Sequence, residues 1–415
     1  MRLHPVHLRR STDGPPGRTG PLLLATCALG WVGAGCGAPE PGKHVTVADS
    51  AGIRIVENGS VARHAAPFQL APEPLFRIGW QEGEHAFGRI VGGAILSDGT
   101  IVVADQMARE AIVLSPRGEV LDTIGGPGQF RALSRMATLG GDTLVFQDGL
   151  GSVSLFHRET FLKRIPPDRA TFDLRMLGSD GRTRIFFGPP RVLEPFPSGE
   201  PDRWISLDIP AVDARTGAVE TFTTVDFALQ TSGNPLAPQA AVAVTGGQVV
   251  VARQDRTEVR WLDSTGQVTQ IARWAMPRVM PSDSLWAAVT EEYRSQREAI
   301  MRLTGGAAGV PGPRFSRGPL PYFGKVLGDS CGRVGLAEYL PPRSDPPTRY
   351  FVIAPDGEWL VSVAIPERFE ILAITDEYVL GTHRNAFDVD AVSVYRVIAA
   401  TGRSGEPDGC ARGVL

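Results

Sequence analysis

Ala94-Ile95-Leu96-Ser97-Asp98-Gly99-Thr100-Ile101-Val102-Val103-Ala104-Asp105 is the stretch on which the fold turns. Two short apolar runs, the second rich in β-branched residues, flank an Asp-Gly pair. A glycine at that point lets the chain enter the positive-φ region that a tight hairpin needs. The stretch therefore predicts strand, turn, strand, with an acid where the second strand ends.

Turns of the same kind recur at Gly140-Gly141-Asp142, Ser179-Asp180-Gly181, Thr245-Gly246-Gly247, Gly328-Asp329-Ser330 and Thr375-Asp376-Glu377, which makes six. Asp98, Gly141 and Asp180 follow one another at about 40 residues, the length of one propeller blade. A second turn follows downstream at Arg117-Gly118, Arg158-Glu159-Thr160, Thr216-Gly217, Thr265-Gly266 and Asp356-Gly357, five times and not six. Two hairpins per copy predict an all-β, six-bladed β-propeller of four-stranded antiparallel blades. The sixth copy ends in Ala391-Val392-Ser393-Val394-Tyr395-Arg396-Val397 with no hairpin after it. An N-terminal strand must then close the ring, either Leu75-Phe76-Arg77-Ile78 or Ile53-Arg54-Ile55-Val56.

Two spacings are longer. The Pro-rich segment from Gly188-Pro189-Pro190 to Pro201 reads as a loop in the third blade. After the fourth, Pro281-Ser282-Asp283 opens a helical insertion over about 282–304, with Leu285, Trp286, Val289, Tyr293, Ile300 and Leu303 near helical spacing. Such a helix serves either as a lid or docking surface over one propeller face, or as packing on a blade's outer edge.

Composition agrees with many short strands. Gly (48) and Pro (34) are abundant in the 415 residues, and hydrophobic residues make up 42%. The formal net charge is -3, with no basic run, which argues against a nucleic-acid partner. Lysine occurs only at Lys43, Lys163 and Lys325, so arginine carries nearly all the positive charge.

The N-terminus reads as an export signal. Arg2, Arg9, Arg10 and Arg18 precede the apolar run Pro21 to Val32, which is too short to span a membrane comfortably. The run ends at Gly33-Ala34-Gly35-Cys36, which resembles a lipobox with Cys36 as the lipidated residue, although Gly33 stands where Leu or Val is usual. A plain cleaved signal and an uncleaved anchor are the alternatives. Gly37 after the cysteine, by analogy with Gram-negative sorting, directs the protein to the outer membrane. The expected organisation is a signal at 1–36, a flexible tether at 37–48, the propeller at 49–400 and a tail at 401–415. Cys331 and Cys410 remain; they form either a disulfide tying the tail to the body or two free thiols.

Asp49-Ser50-Ala51-Gly52-Ile53-Arg54-Ile55-Val56-Glu57-Asn58, Ile95 to Asp105 and Val392-Ser393-Val394-Tyr395-Arg396-Val397 together resemble the exported six-bladed propeller lipoproteins of Gemmatimonadota-type genomes, which are related to NHL-repeat propellers. Ala104-Asp105-Gln106 to Leu114 is similar to the NHL motif, and the later blades depart from it. The resemblance covers about Val45 to Ile398 and implies the fold and an exported compartment, with no particular activity.

Candidate chemistry is sparse. Asp105, Asp148, Asp255 and Glu338 follow second strands and read either as a ring of ligands for a channel-bound divalent cation such as calcium, or as caps on neighbouring backbone N–H groups. His85 and His383, near blade entrances, are the histidines of interest for channel-mouth chemistry; no two histidines share metal-ligand spacing. No cofactor is called for. Two functions follow: a monomeric, membrane-anchored, non-catalytic module binding a protein or small molecule, or a metal-assisted lactonase- or lyase-like enzyme working at the channel mouth.

Overall fold

The computed structural model describes residues 45–60, 68–79, 85–126, 128–149, 151–172, 174–190, 203–230, 234, 236–303, 317–341, 344, 349–384 and 389–399. The export segment 1–36 with Cys36, and the tail with Cys410, lie outside the described residues.

Four N-terminal strands come first: β1 (Val45–Ser50), β2 (Ile53–Ser60), β3 (Phe68–Leu70) and β4 (Phe76–Ile78). Blade 1 is β5 (Ile90–Ile95), β6 (Ile101–Asp105), β7 (Glu110–Leu114) and β8 (Val120–Gly125). Blade 2 is β9 (Leu133–Gly140), β10 (Thr143–Asp148), β11 (Val153–His157) and β12 (Thr160–Ile165). Blade 3 is β13 (Leu174–Ser179), β14 (Arg184–Pro190), β15 (Arg203–Asp213) and β16 (Val219–Gln230). Blade 4 is β17 (Ala240–Thr245), β18 (Gln248–Arg253), β19 (Glu258–Leu262) and β20 (Val268–Ala275), followed by the helix α1 (Asp283–Leu303). Blade 5 is β21 (Val326–Gly328), β22 (Val334–Ala337), β23 (Arg349–Ile353) and β24 (Trp359–Ala364). Blade 6 is β25 (Phe369–Ile374), β26 (Tyr378–Arg384) and β27 (Asp390–Ala399), completed by β3 and β4 on β27.

All six first turns and all five second turns of the sequence fall at hairpins of this ring. Between each pair of neighbouring blades lies a separate hydrophobic cluster, six in all. Strand periodicity explains why. In β6, Ile101 and Val103 face blade 6, whereas Val102 and Ala104 face blade 2. A middle strand of a blade is thus buried on both sides, which is why Ile101 to Asp105 is an unbroken buried run.

The ring closes with strands from the two ends of the chain. Leu70 pairs with Val397, and Phe76 with Val394. Phe76 also packs against the second turn of blade 1, where Gly118 has a φ of 88°. A Cβ there would stand 2.5 Å from the Phe76 ring, so the contact requires glycine.

Of the two closing candidates, Leu75–Ile78 does the closing. Ile53–Val56 goes elsewhere: β1 and β2 form a hairpin through Ala51 and Gly52, and β2 runs parallel to β20, which widens the blade 4 sheet to six strands. Strand β1 begins at Val45, so the last four residues of the span expected to be a tether are already paired. Hydrogen bonding to β2 orders them. The helical insertion expected over about 282–304 is the helix Asp283–Leu303.

First strands contact one another around the axis and surround the channel. Second and fourth strands finish at the same end of the ring, where each fourth strand hands on to the next blade. This is termed the connection end, and α1 rises from it, between β20 and β21.

Candidate functional site at the connection end of the channel

Two of the four expected acids, Asp105 and Asp148, are occupied by backbone. Asp105 accepts N–H groups from Gly88 (2.6 Å), Arg89 (3.1 Å), Met107 (2.8 Å) and Ala108 (3.3 Å). Its side chain thereby pins both the entry to β5 and the turn into β7. Asp148 repeats half of this device in blade 2, accepting from Arg131 at 3.0 Å and Ala132 at 3.1 Å. Blade 4 carries Arg253 at the equivalent strand end, and Asp255, two residues on, holds its guanidinium at 2.8 and 3.0 Å. Glu338 follows β22, where its own N–H bonds Arg349. Among the described residues, no three His, Cys, Asp or Glu side chains come together as a metal-binding group.

The two histidines are not brought together with these acids. His85 lies edge-on to Phe87, ring centres 4.9 Å apart. His383, near the end of β26, is buried between Phe369 and Tyr395, with Nε2 3.4 Å from the tyrosine hydroxyl. Burial, reinforced by the charge of Arg77, pushes its pKa down to about 4, so it is neutral at pH 7. It faces the core between blades 5 and 6.

A different set of charges lines the channel mouth. Arg135 in β9 pairs across the sheet with Gln147, Arg175 in β13 with Gly188, and Glu370 in β25 with Thr382. Lys325, one residue before β21, bonds through its carbonyl to Ala337. These four stand at one level, near the connection end of the innermost strands of blades 2, 3, 6 and 5. Val91 and Ala241 hold the corresponding places in blades 1 and 4. Gln147 locks this level by bonding the Leu174 carbonyl (2.6 Å) and the Met176 N–H (2.9 Å), on either side of Arg175.

Lys325 reaches from blade 5 to blade 6 to pair with Glu370 at 2.6 Å. Burial works to raise the Glu370 pKa, but the Lys325 ammonium, its hydrogen bond and the charges of Arg384 and Arg175 outweigh it, and the group lies below the ordinary carboxylate range. Arg384, at the end of β26, pairs with Asp390 at 3.2 Å, and Asp390 in turn accepts the Ile90 N–H, joining blade 6 to blade 1. The Arg135 Nε is buried without a hydrogen-bond partner among the described residues.

Nothing local in the sequence marks Arg135, Arg175, Lys325 or Glu370. Each is a lone charge four to six residues ahead of the turn residues Gly141, Asp180, Asp329 and Asp376. Bulges in β9, β13 and β25 vary that offset, so no constant spacing betrays them.

Around this mouth the connection end carries further arginine and aromatic pairs. Arg253 stacks 3.7 Å over the Trp204 ring, and Arg278 lies 6.0 Å over Tyr322. Arg317 pairs with Asp283 at 2.5 Å at the start of α1. In the described residues no helix is long and apolar enough to cross a membrane.

No protein-family model matches the chain. No curated protein matches it either. Among solved structures it is similar to a member of the DUF4221 family from Bacteroides vulgatus, at 10% identity over 81% of this chain and 99% of that one, TM-score 0.49. It is similar also to an exported protein from Bacteroides fragilis, at 10% identity over 83% of this chain and 99% of that one, TM-score 0.46. A streptogramin B lyase shares 10% identity over 82% of this chain and 99% of its own, TM-score 0.38.

Proposed function

We propose that the protein is an exported propeller, anchored through a lipid on Cys36 to the outer membrane and related to NHL-repeat propellers, that acts as a non-catalytic binding module. Its ligand, a small molecule or a protein, sits at the connection end of the channel. The use made of the strand-end acids carries this reading: Asp105 and Asp148 are consumed in capping backbone N–H groups, and Asp255 in holding Arg253. A metal-assisted reaction would draw on those carboxylates as ligands.

Metal analysis and a lactone-hydrolysis assay on the full chain test it. A stoichiometric divalent metal at the channel mouth together with turnover of lactones would favour the lactonase- or lyase-like enzyme instead. For the anchor, incorporation of a labelled fatty acid should vanish in Cys36→Ser; persistent labelling would overturn lipidation at that residue.

A further inference from the structure

We infer that the seam between blades 5 and 6 holds a second binding site, which takes the end of a neutral alkyl chain. It lies towards the end of the ring that carries the first turns, away from the channel mouth, and does not depend on what the channel binds.

The seam encloses a cavity of about 60 Å³. Tyr350 and Val363 line it from blade 5, and Ile371 and Val379 from blade 6. Leu70 and Val397, paired where the ring closes, line it as well. Asp329, Arg333 and Thr375, in or beside the first turns of the two blades, form its polar end.

The cavity has a cause in the sequence. Each second strand sets one residue against the next blade, opposite a small residue of the first strand. These pairs are Val102 with Ala94, Val145 with Ala137, Phe186 with Gly178, Val250 with Ala243 and Leu380 with Ala373. All five larger side chains are buried in the clusters between blades. Blade 5 reverses the sizes, with Gly335 opposite Leu327. Leu327 makes up only part of the loss, and both residues line the space that remains.

Nothing local demands this glycine. Its φ is not positive, and a Cβ on it would meet nothing closer than Tyr350 Cδ1 at 3.6 Å, an ordinary contact. A Cβ at Gly93, Gly328 or Gly381 would instead come within 2.7, 2.1 or 2.4 Å of a neighbour. An unfilled apolar cavity costs stability, so a glycine that an alanine could replace without a clash marks space kept for a guest.

The lining sets the chemistry of that guest. Apolar cavities stay dry and accept apolar molecules; one of about 150 Å³ holds benzene, so this one suits the last few carbons of a chain. At the polar end Arg333 is engaged by Asp329 and, at 3.3 Å, by Asp376. Asp329 also accepts the N–H groups of Cys331 and Arg333, at 2.9 and 2.8 Å. With these charges committed to one another, an uncharged head group fits the mouth better than an ionised one.

Titration calorimetry of the full chain with the alcohols from 1-propanol to 1-hexanol, and with hexanoate, tests the site. Expected is one-to-one binding of 1-hexanol, with affinity rising about fourfold for each methylene until the cavity is full. Hexanoate should bind about tenfold more weakly. Gly335→Val should weaken 1-hexanol by about tenfold or more and raise the ligand-free thermal midpoint. Gly335→Ala, whose added Cβ has room, should fold unaltered and weaken it severalfold. Failure of every alcohol to bind the native chain would leave a packing void only and overturn the inference, as would binding indifferent to both substitutions. Hexanoate bound more tightly than 1-hexanol would overturn the neutral assignment. None of these outcomes bears on the metal analysis and lactone assay that test the channel.

Discussion

The Asn58 side chain accepts the Trp359 backbone N–H at 2.7 Å, which ties the N-terminal hairpin to the outer strand of blade 5. The same amide donates to the Gly357 carbonyl at 2.9 Å and to the Arg273 carbonyl, in blade 4, at 3.1 Å. Asn58 is 4% exposed. One buried side chain thus joins three elements far apart in the chain, and the segment from β1 to β4 braces blades 4, 5 and 6 from outside. An asparagine suits the place because its short side-chain amide accepts one bond and donates two.

Asn58→Ala should therefore lower the unfolding free energy by about 3 kcal/mol, since it leaves buried backbone groups without partners. Asn58→Asp can still accept from Trp359 but cannot donate to the two carbonyls, and should be no better tolerated. Urea denaturation of the variants, read by tryptophan fluorescence, checks both; a loss under ~1 kcal/mol in each would show that the bridge is not braced as described.

Asp105→Ala should destabilise the chain by roughly 3 kcal/mol, because four N–H groups lose a charged acceptor at once. Asp105→Asn, retaining one acceptor oxygen, should fall between. If Asp105 were instead a ligand for a cation, Asp105→Ala would change calcium affinity and leave the metal-free thermal midpoint where it is. Calorimetric scans with and without calcium separate these outcomes.

His383 makes the fold sensitive to acid. Its folded-state pKa is about 4 against the ordinary histidine value of 6.5, so between those values the unfolded chain binds a proton that the folded chain does not. Stability falls as pH drops from 6.5 towards 4, by about 3 kcal/mol from this residue, and is insensitive to it above pH 7. His383→Gln should flatten that acid limb. Urea titrations at pH 7.5, 6, 5 and 4 measure the slope, and an unchanged slope in the variant would assign the acid sensitivity to other groups.

Cys331 is disulfide-bonded, and Cys410 is the partner we expect. Strand β27 ends at Ala399, and Val397 bonds the Glu377 carbonyl beside Asp376. Asp376 in turn pairs at 3.3 Å with Arg333, two residues from Cys331. The eleven residues from Ala399 to Cys410 can span up to roughly 36 Å, ample for that reach. Peptide mapping without reductant should recover the Cys331 and Cys410 peptides as one linked species; linkage of Cys331 to Cys27 or Cys36 would refute the pairing. The bridge would fasten the seam between blades 5 and 6, where Leu70, Leu327, Tyr350, Val363 and Ile371 surround a cavity of about 60 Å³.

Much of the architecture was legible because its signals are local. Each Gly- or Asp-bearing turn announces a hairpin from a few adjacent residues, and alternation along Ile101 to Ala104 needs no distant partner to be read as strand. The deficit of one second turn also spoke in the sequence, since a missing hairpin leaves an unpaired strand that another must complete. Those features determined six blades, a helical insertion and closure by the N-terminal segment. What lay beyond reach depended on which residues meet across long separations. Ile53–Val56 and Phe76–Ile78 are both short, apolar and strand-like, and only packing on β20 or on β27 distinguishes them. Asp105 and Asp148 had two readings until the N–H groups of Gly88, Arg89, Arg131 and Ala132 were seen to occupy them. Lys325 and Glu370 are 45 positions apart in the chain, and the packing of blade 5 against blade 6 brings them to 2.6 Å; their pairing is a property of the ring, which no local stretch of sequence contains.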